Sequence, residues 1–156
     1  KGGIWAYCPF MMKLYIDADG CPVVDASIII SKSHGVECVI ICYTSHVFAR
    51  EDVRVITVSK GADSVDFALV NLLKKGDIAI TQDYGLAAMC LAKGAVAISQ
   101  NGMIYNDDNI GALLQQRYSA KKIRMSGGRL KGNAKRTKEQ DEEFCAEFEK
   151  LFEKTV

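Results

Sequence analysis

Leu14-Tyr15-Ile16-Asp17-Ala18-Asp19-Gly20-Cys21-Pro22 runs three apolar residues into two carboxylates, followed by a glycine, a cysteine and a proline. A short apolar run reads as a buried parallel strand, and in open α/β sheets ligands bind just past strand carboxyl ends. Side chains two apart on an extended segment point the same way, so Asp17 and Asp19 share a side. Two oxygen-only side chains at such a place suit a hard cation, Mg2+ or Mn2+. Asp19 taken alone serves equally well as a cap for a helix opening near Pro22.

Three further acids occupy comparable positions. Asp83 follows the run Ile78-Ala79-Ile80-Thr81 as Asp17 follows its own apolar run. Asp63 and Asp66 lie three apart in the first turns of a helix, on neighbouring faces. Brought together, Asp17, Asp19, Asp63, Asp66 and Asp83 would form an acidic ring. Carboxylates within about 4 Å of one another resist joint ionisation, and a divalent cation relieves that while activating water for attack on phosphorus. Singly, each acid has an ordinary explanation: Asp63 and Asp66 suit a helix N-terminus, and Asp83 caps the helix after it. Convergence depends on the elements that carry them.

Those elements alternate. After Pro22, Val23, Val24, Ala26 and Ile28 to Ile30 predict a helix ending near His34-Gly35. Strands are predicted over 36–42, 53–58, 78–81 and 95–99, with helices over about 62–74 and 84–93. Strands alternating with ten-residue helices give right-handed βαβ units and a mostly parallel sheet. Asn106-Asp107-Asp108-Asn109 offers N-caps for a helix reaching roughly 123–125. Thr137 and Gln140 match a capping box, and Phe144, Phe148, Leu151 and Phe152 form one stripe of the final helix.

Composition sets the class. The chain has 156 residues, 49% apolar and 25% charged, which fits one globular domain over 12–156. Residues 1–11 read as an upstream leader or expression remnant, too weakly cationic for a secretory signal. No apolar run approaches the roughly 20 residues that span a bilayer. Six cysteines without a C-x-x-C pair point to buried free thiols in a reducing cytoplasm rather than to zinc or disulfides. Cys21 stands apart, because a helix N-terminus lowers a thiol's pKa. Charge is uneven as well. Arg117 to Lys138 holds nine basic residues and no acid, leaving 11 basic side chains against 19 acidic ones elsewhere. Within this arm, whose residues 126–137 read as a linker, Lys121, Lys122, Arg124, Arg129, Lys131, Lys135 and Arg136 are placed to hold a polyanion.

The sequence resembles the YaiI/YqxD family of bacterial proteins, a branch of the PIN-like superfamily. Asp17 to Val23, Gly61 to Asp66 and Gly76 to Asp83 carry the likeness, joined by Leu86-Ala87-Ala88, Lys93-Gly94-Ala95 and Asn109-Ile110. The resemblance implies a three-layer PIN-like α/β sandwich: a five-stranded sheet of order 3-2-1-4-5 and a C-terminal helix. That order would set Asp17 beside Asp83. PIN nucleases hold Mg2+ or Mn2+ on such acids and hydrolyse RNA; the matching positions here are Asp17, Asp63 or Asp66, and Asp83, with Asp19 additional.

The expectation is therefore a divalent-metal-dependent ribonuclease, with a non-catalytic RNA-binding module of the same fold as its rival. A third reading is a phosphatase, since Asp-x-Asp-Gly also looks like the haloacid-dehalogenase nucleophile motif. Its Gly-Asp pair, however, belongs at a strand's carboxyl end, and Gly76-Asp77 precedes Ile78. Thr44, Ser45 and His46, after the second strand, are near enough to the proposed cleft to meet a substrate phosphate.

Overall fold

The structure is a computed structural model that describes residues 12–43, 50–59, 61, 64–128 and 135–153. Five strands, β1 (Lys13–Asp17), β2 (Glu37–Cys42), β3 (Arg54–Thr57), β4 (Ile78–Ile80) and β5 (Val96–Ile98), form one sheet of order β3-β2-β1-β4-β5. The order is the one the resemblance implies, and every pairing is parallel where a mostly parallel sheet was expected. Five helices accompany it: α1 (Val24–Ser33), α2 (Ser64–Leu72), α3 (Tyr84–Ala92), α4 (Ile110–Met125) and α5 (Lys138–Glu153).

Alternation along β1 divides the core in two. Leu14 and Ile16 join α1 and the three phenylalanines of α5 on one face. Tyr15 joins Leu69 of α2 and Leu86, Ala87 and Cys90 of α3 on the other. Asp17, two residues after Tyr15, continues that second face beyond the apolar layer. Central strands buried on both sides read as unbroken apolar runs: Leu14 to Ile16 and Cys38 to Cys42 are all at most 5% exposed.

α5 behaves as its sequence predicts. Thr137 N–H donates to Gln140 Oε1 (2.9 Å) and Gln140 N–H returns to Thr137 Oγ1 (3.3 Å), closing the capping box. Phe144, Phe148 and Phe152 are buried, each contributing roughly 1.5–3 kcal/mol by leaving water. His34, at the end of α1, stacks on Phe152 and lies 2.7 Å from Glu149 Oε2, which ties α1 to α5. Among the described residues, no helix is long and apolar enough to cross a membrane.

Two turns set up the site. Gly20 has φ of +75°, a left-handed conformation that costs glycine nothing, and it lets the chain leave β1 and fold back into α1. Thr81 follows β4 directly, and Asp83 is the extended N-cap residue of α3.

Candidate active site

β1 and β4 are neighbours, and between them the sheet's winding reverses, the place where open α/β sheets bind ligands. Asp17 at the end of β1 and Thr81 after β4 meet there: Thr81 Oγ1–H donates to Asp17 Oδ2 at 2.8 Å. The same hydroxyl oxygen accepts from Asp83 N–H at 3.0 Å, so one buried threonine fixes both aspartates relative to each other. Asp83 Oδ1 accepts from Leu86 N–H (3.1 Å), the capping bond that starts α3. It also takes a bond from Arg117 Nη1 at 3.1 Å, across from α4. A Cβ on Gly85 would stand only 3.1 Å from Arg117 Nη1 and 3.2 Å from Asp83 Oδ1, so the glycine leaves room for this pair.

Three concavities meet at Asp17. The largest, about 620 Å³, runs between Asp17, Asp83 and the Gln116, Arg117 and Arg124 side of α4. A second, about 400 Å³, gathers Asp17, Asp19, Asp66 and Asp83 beside Tyr43. A third, about 50 Å³, lies among Asp17, Asp19, Cys21, Thr81 and Gln100. Four of the five expected acids thus border one cleft. Asp63 lies outside the described residues, as do Thr44, Ser45 and His46. Among the described residues, no three Asp, Glu, His or Cys side chains close around a single point.

A profile of the family described as "Uncharacterized BCR, YaiI/YqxD family" matches residues 15–154. The chain belongs to the YaiI/YqxD family. It is 49% identical to a UPF0178 protein of Exiguobacterium sibiricum over 145 residues, 92% of this chain and 99% of that one. It is 45% identical to a UPF0178 protein of Clostridium acetobutylicum over 144 residues (90% and 96% of the two chains). A third UPF0178 protein, from Ruminiclostridium cellulolyticum, is 48% identical over 133 residues, 85% of this chain and 87% of its own. No solved structure matches.

The electrostatics of this YaiI/YqxD site are those of crowded acids. Burial pushes the Asp17 carboxyl above its usual range, Thr81's hydroxyl draws it partly back, and Asp83 and then Asp19 push it up again. Arg117 brings a cation to these acids through its ion pair with Asp83. Asp19 does not cap α1, whose N-cap residue is Val23; its Oδ2 accepts from Tyr43 N–H at 2.9 Å and so bridges the ends of β1 and β2.

Cys21 departs from expectation. Its thiol is pushed up to about 11 by burial, with Asp17 adding to the effect, because the residue precedes α1 in a pocket beside carboxylates. Cys38, Cys42 and Cys90 are buried, as expected, whereas Cys21 and Cys145 are only partly so. Asp77 sits at the amino end of β4, away from Asp17, so the Gly-Asp pair of the phosphatase motif is at the wrong edge.

The basic arm divides. Lys121, Lys122 and Arg124 are exposed on α4, and Lys135 is exposed ahead of α5. Arg136 is structurally engaged instead: it bonds Asp141 (2.6 Å), Asn101 Oδ1 (2.7 Å) and the Gln100 carbonyl (2.7 Å), holding the start of α5 to the segment after β5. Arg129 and Lys131 lie outside the described residues. Two site residues escape the sequence reading, Thr81 and Arg117. A Thr-x-Asp spacing after a strand, placing both on one side, was the available signal for the first. Nothing in the sequence marks Arg117 among its basic neighbours.

Proposed function

We propose that the chain is a divalent-metal-dependent phosphodiesterase acting on RNA. The observation that carries it is the Asp17–Thr81–Asp83 arrangement at the sheet's switch point, opening into a cleft that Arg117 and Arg124 of α4 also line. The donors fit the ion. They are all oxygens, and Gln100 Oε1, beside the small cavity, is buried with no hydrogen-bond partner among the described residues. Mg2+ is characteristically held by one or two carboxylates, with waters and substrate phosphate completing the shell, so two converging aspartates suffice.

Asp17 and Asp83 would hold the ion, and Asp19 and Asp66 would orient water or assist a second ion from the neighbouring wall. When bound, Mg2+ or Mn2+ supplies Lewis-acid polarisation of the phosphate and a more acidic water. Thr81 fixes the spacing of the two aspartates. Arg117 and Arg124 would neutralise phosphate charge from the α4 wall of the cleft, which makes binding salt-dependent.

The test gives single-stranded RNA and Mn2+ to the wild type, Asp17→Asn and Asp83→Asn. Cleavage by the wild type alone is expected. Equal cleavage by all three, or none by any, overturns the proposal. A second reading, RNA binding without turnover, is favoured by one observation: Arg117 already satisfies an oxygen of Asp83 that a metal would need. Binding unchanged by chelator and by both substitutions, with no cleavage, is its signature.

A further inference from the structure

α4 is unlike the other helices. It has 16 residues and none is buried, whereas α1, α2, α3 and α5 each bury at least one. From Ile110 to Gly128 it carries four cations and no acid. Its second half nevertheless displays large apolar groups: Tyr118 is 61% exposed and Met125 78%. Basic residues in a last helical turn are what the helix dipole favours, which accounts for Lys122 and Arg124. It gives no reason for an exposed tyrosine among them.

Two faces of α4 do different things. Gln116, Arg117, Ala120 and Arg124 line the acidic cleft. Tyr118, Lys121, Lys122, Met125 and Ser126 border a separate concave surface of about 510 Å³. The faces point about 150° apart around the axis but share an edge, where Arg117 and Lys121 are i,i+4 neighbours, so a chain leaving the cleft past Arg117 comes onto the second. On that surface Lys121 and Lys122 stand three and four residues from Tyr118, on its own side of the helix.

We propose that this second face is a stacking platform for single-stranded nucleic acid continuing out of the acidic cleft. The ring of Tyr118 takes a base, Met125 extends the apolar surface, and Lys121 and Lys122 take the adjoining phosphates. An aromatic flanked by cations binds unpaired bases with little sequence preference. A duplex keeps its base faces covered and gains only the phosphate contacts. The surface therefore selects single strands. An apolar partner surface alone would leave two lysines unmatched, and a purely acidic one would leave Tyr118 and Met125 unmatched. This inference rests on the RNA reading of the site but needs neither metal nor turnover.

The experiment is equilibrium binding in EDTA, by fluorescence anisotropy, of labelled oligoadenylate and of a blunt RNA duplex of equal length, over a salt series. The wild type is expected to bind the single strand more tightly. Tyr118→Ala should weaken that binding about 5- to 150-fold with an unchanged salt slope, and Tyr118→Trp should restore it. Lys121→Gln combined with Lys122→Gln should lower the slope by about 1.4. Equal affinity for the duplex, indifference to Tyr118→Ala, or full competition by polyglutamate overturns the proposal. Absence of binding in EDTA, beside Asp17-dependent cleavage with Mn2+, sinks the platform and leaves the nuclease standing. Tyr118-dependent binding without cleavage does the reverse.

Discussion

Asp77 and Asp83 flank the same three-residue strand, β4, and meet opposite fates. Asp77, at the amino end, is 3% exposed, with each oxygen taken by a backbone amide: Lys13 N–H at 3.0 Å and Lys74 N–H at 2.8 Å. It joins β1 to the segment after α2. Asp83, at the carboxyl end, caps α3 with the oxygen that also meets Arg117, and its half-exposed side chain faces an open cleft with Asp17. A carboxylate closed off by amides is architecture. One held in place yet left open beside a second carboxylate is poised for a ligand. Helix capping and ligand binding are thus compatible in one residue, which is why the ordinary explanation of Asp83 does not compete with the functional one.

The strongest test of that contrast is catalytic. Replacing Asp17 or Asp83 by Asn should reduce Mn2+-dependent RNA cleavage by two or more orders of magnitude, since metal polarisation is worth several kcal/mol. Circular dichroism should show both variants folded. Next comes stability at the opposite edge. Asp77→Ala leaves two amides without their acceptor and should cost about 2–5 kcal/mol in urea unfolding. Asp83→Ala loses a cap worth about 1 kcal/mol but relieves crowding with Asp17, so its unfolding midpoint should move less. Equal losses from Asp77→Ala and Asp83→Ala would erase the distinction.

A smaller effect lies in pH. Because the folded state raises the Asp17 carboxyl above its ordinary 3.8, folded protein binds that proton more tightly than unfolded chain. Its favourable contribution is complete below the ordinary value and is lost as pH rises through the raised one. Asp17→Asn should therefore be more stable than wild type near neutrality, and the advantage should vanish in acid. A constant difference across the series would place the effect in packing instead. The smallest change is expected from Arg117→Gln. An exposed ion pair is worth at most about 1 kcal/mol, so stability should barely move while Mn2+ affinity, read by paramagnetic resonance, increases as the competing cation is removed.

Much of the frame was legible because local and global preferences agree. The Thr137–Gln140 box and the phenylalanine spacing of α5 were explicit in the chain, and both are found as read. The strand order came from family likeness, since alternation of elements does not say which strand lies beside β1. With that order in hand, Asp17 and Asp83 had to be close. What stayed hidden depends on directions that sequence does not encode. Arg117 reaches Asp83 only because α4 crosses beside α3 and Gly85 leaves space. Arg136 looked like one more cation of the arm until the position of Gln100 and Asn101 was known. At Cys21 burial outweighs the pull of the nearby helix end, and burial is what the local sequence does not show.

The phenylalanine stripe of α5 has a consequence in time. The central strand β1 is made before the other described elements, with Leu14 and Ile16 far ahead of Phe144. At ordinary rates of translation that interval is on the order of 10 seconds. Until α5 emerges, one face of the central strand has only α1 for cover, and Arg136 has not yet fastened the segment after β5. The nascent chain therefore carries its carboxylate pair before it carries the layer that keeps β1 and β4 dry, and that interval is when it most needs protection from its neighbours.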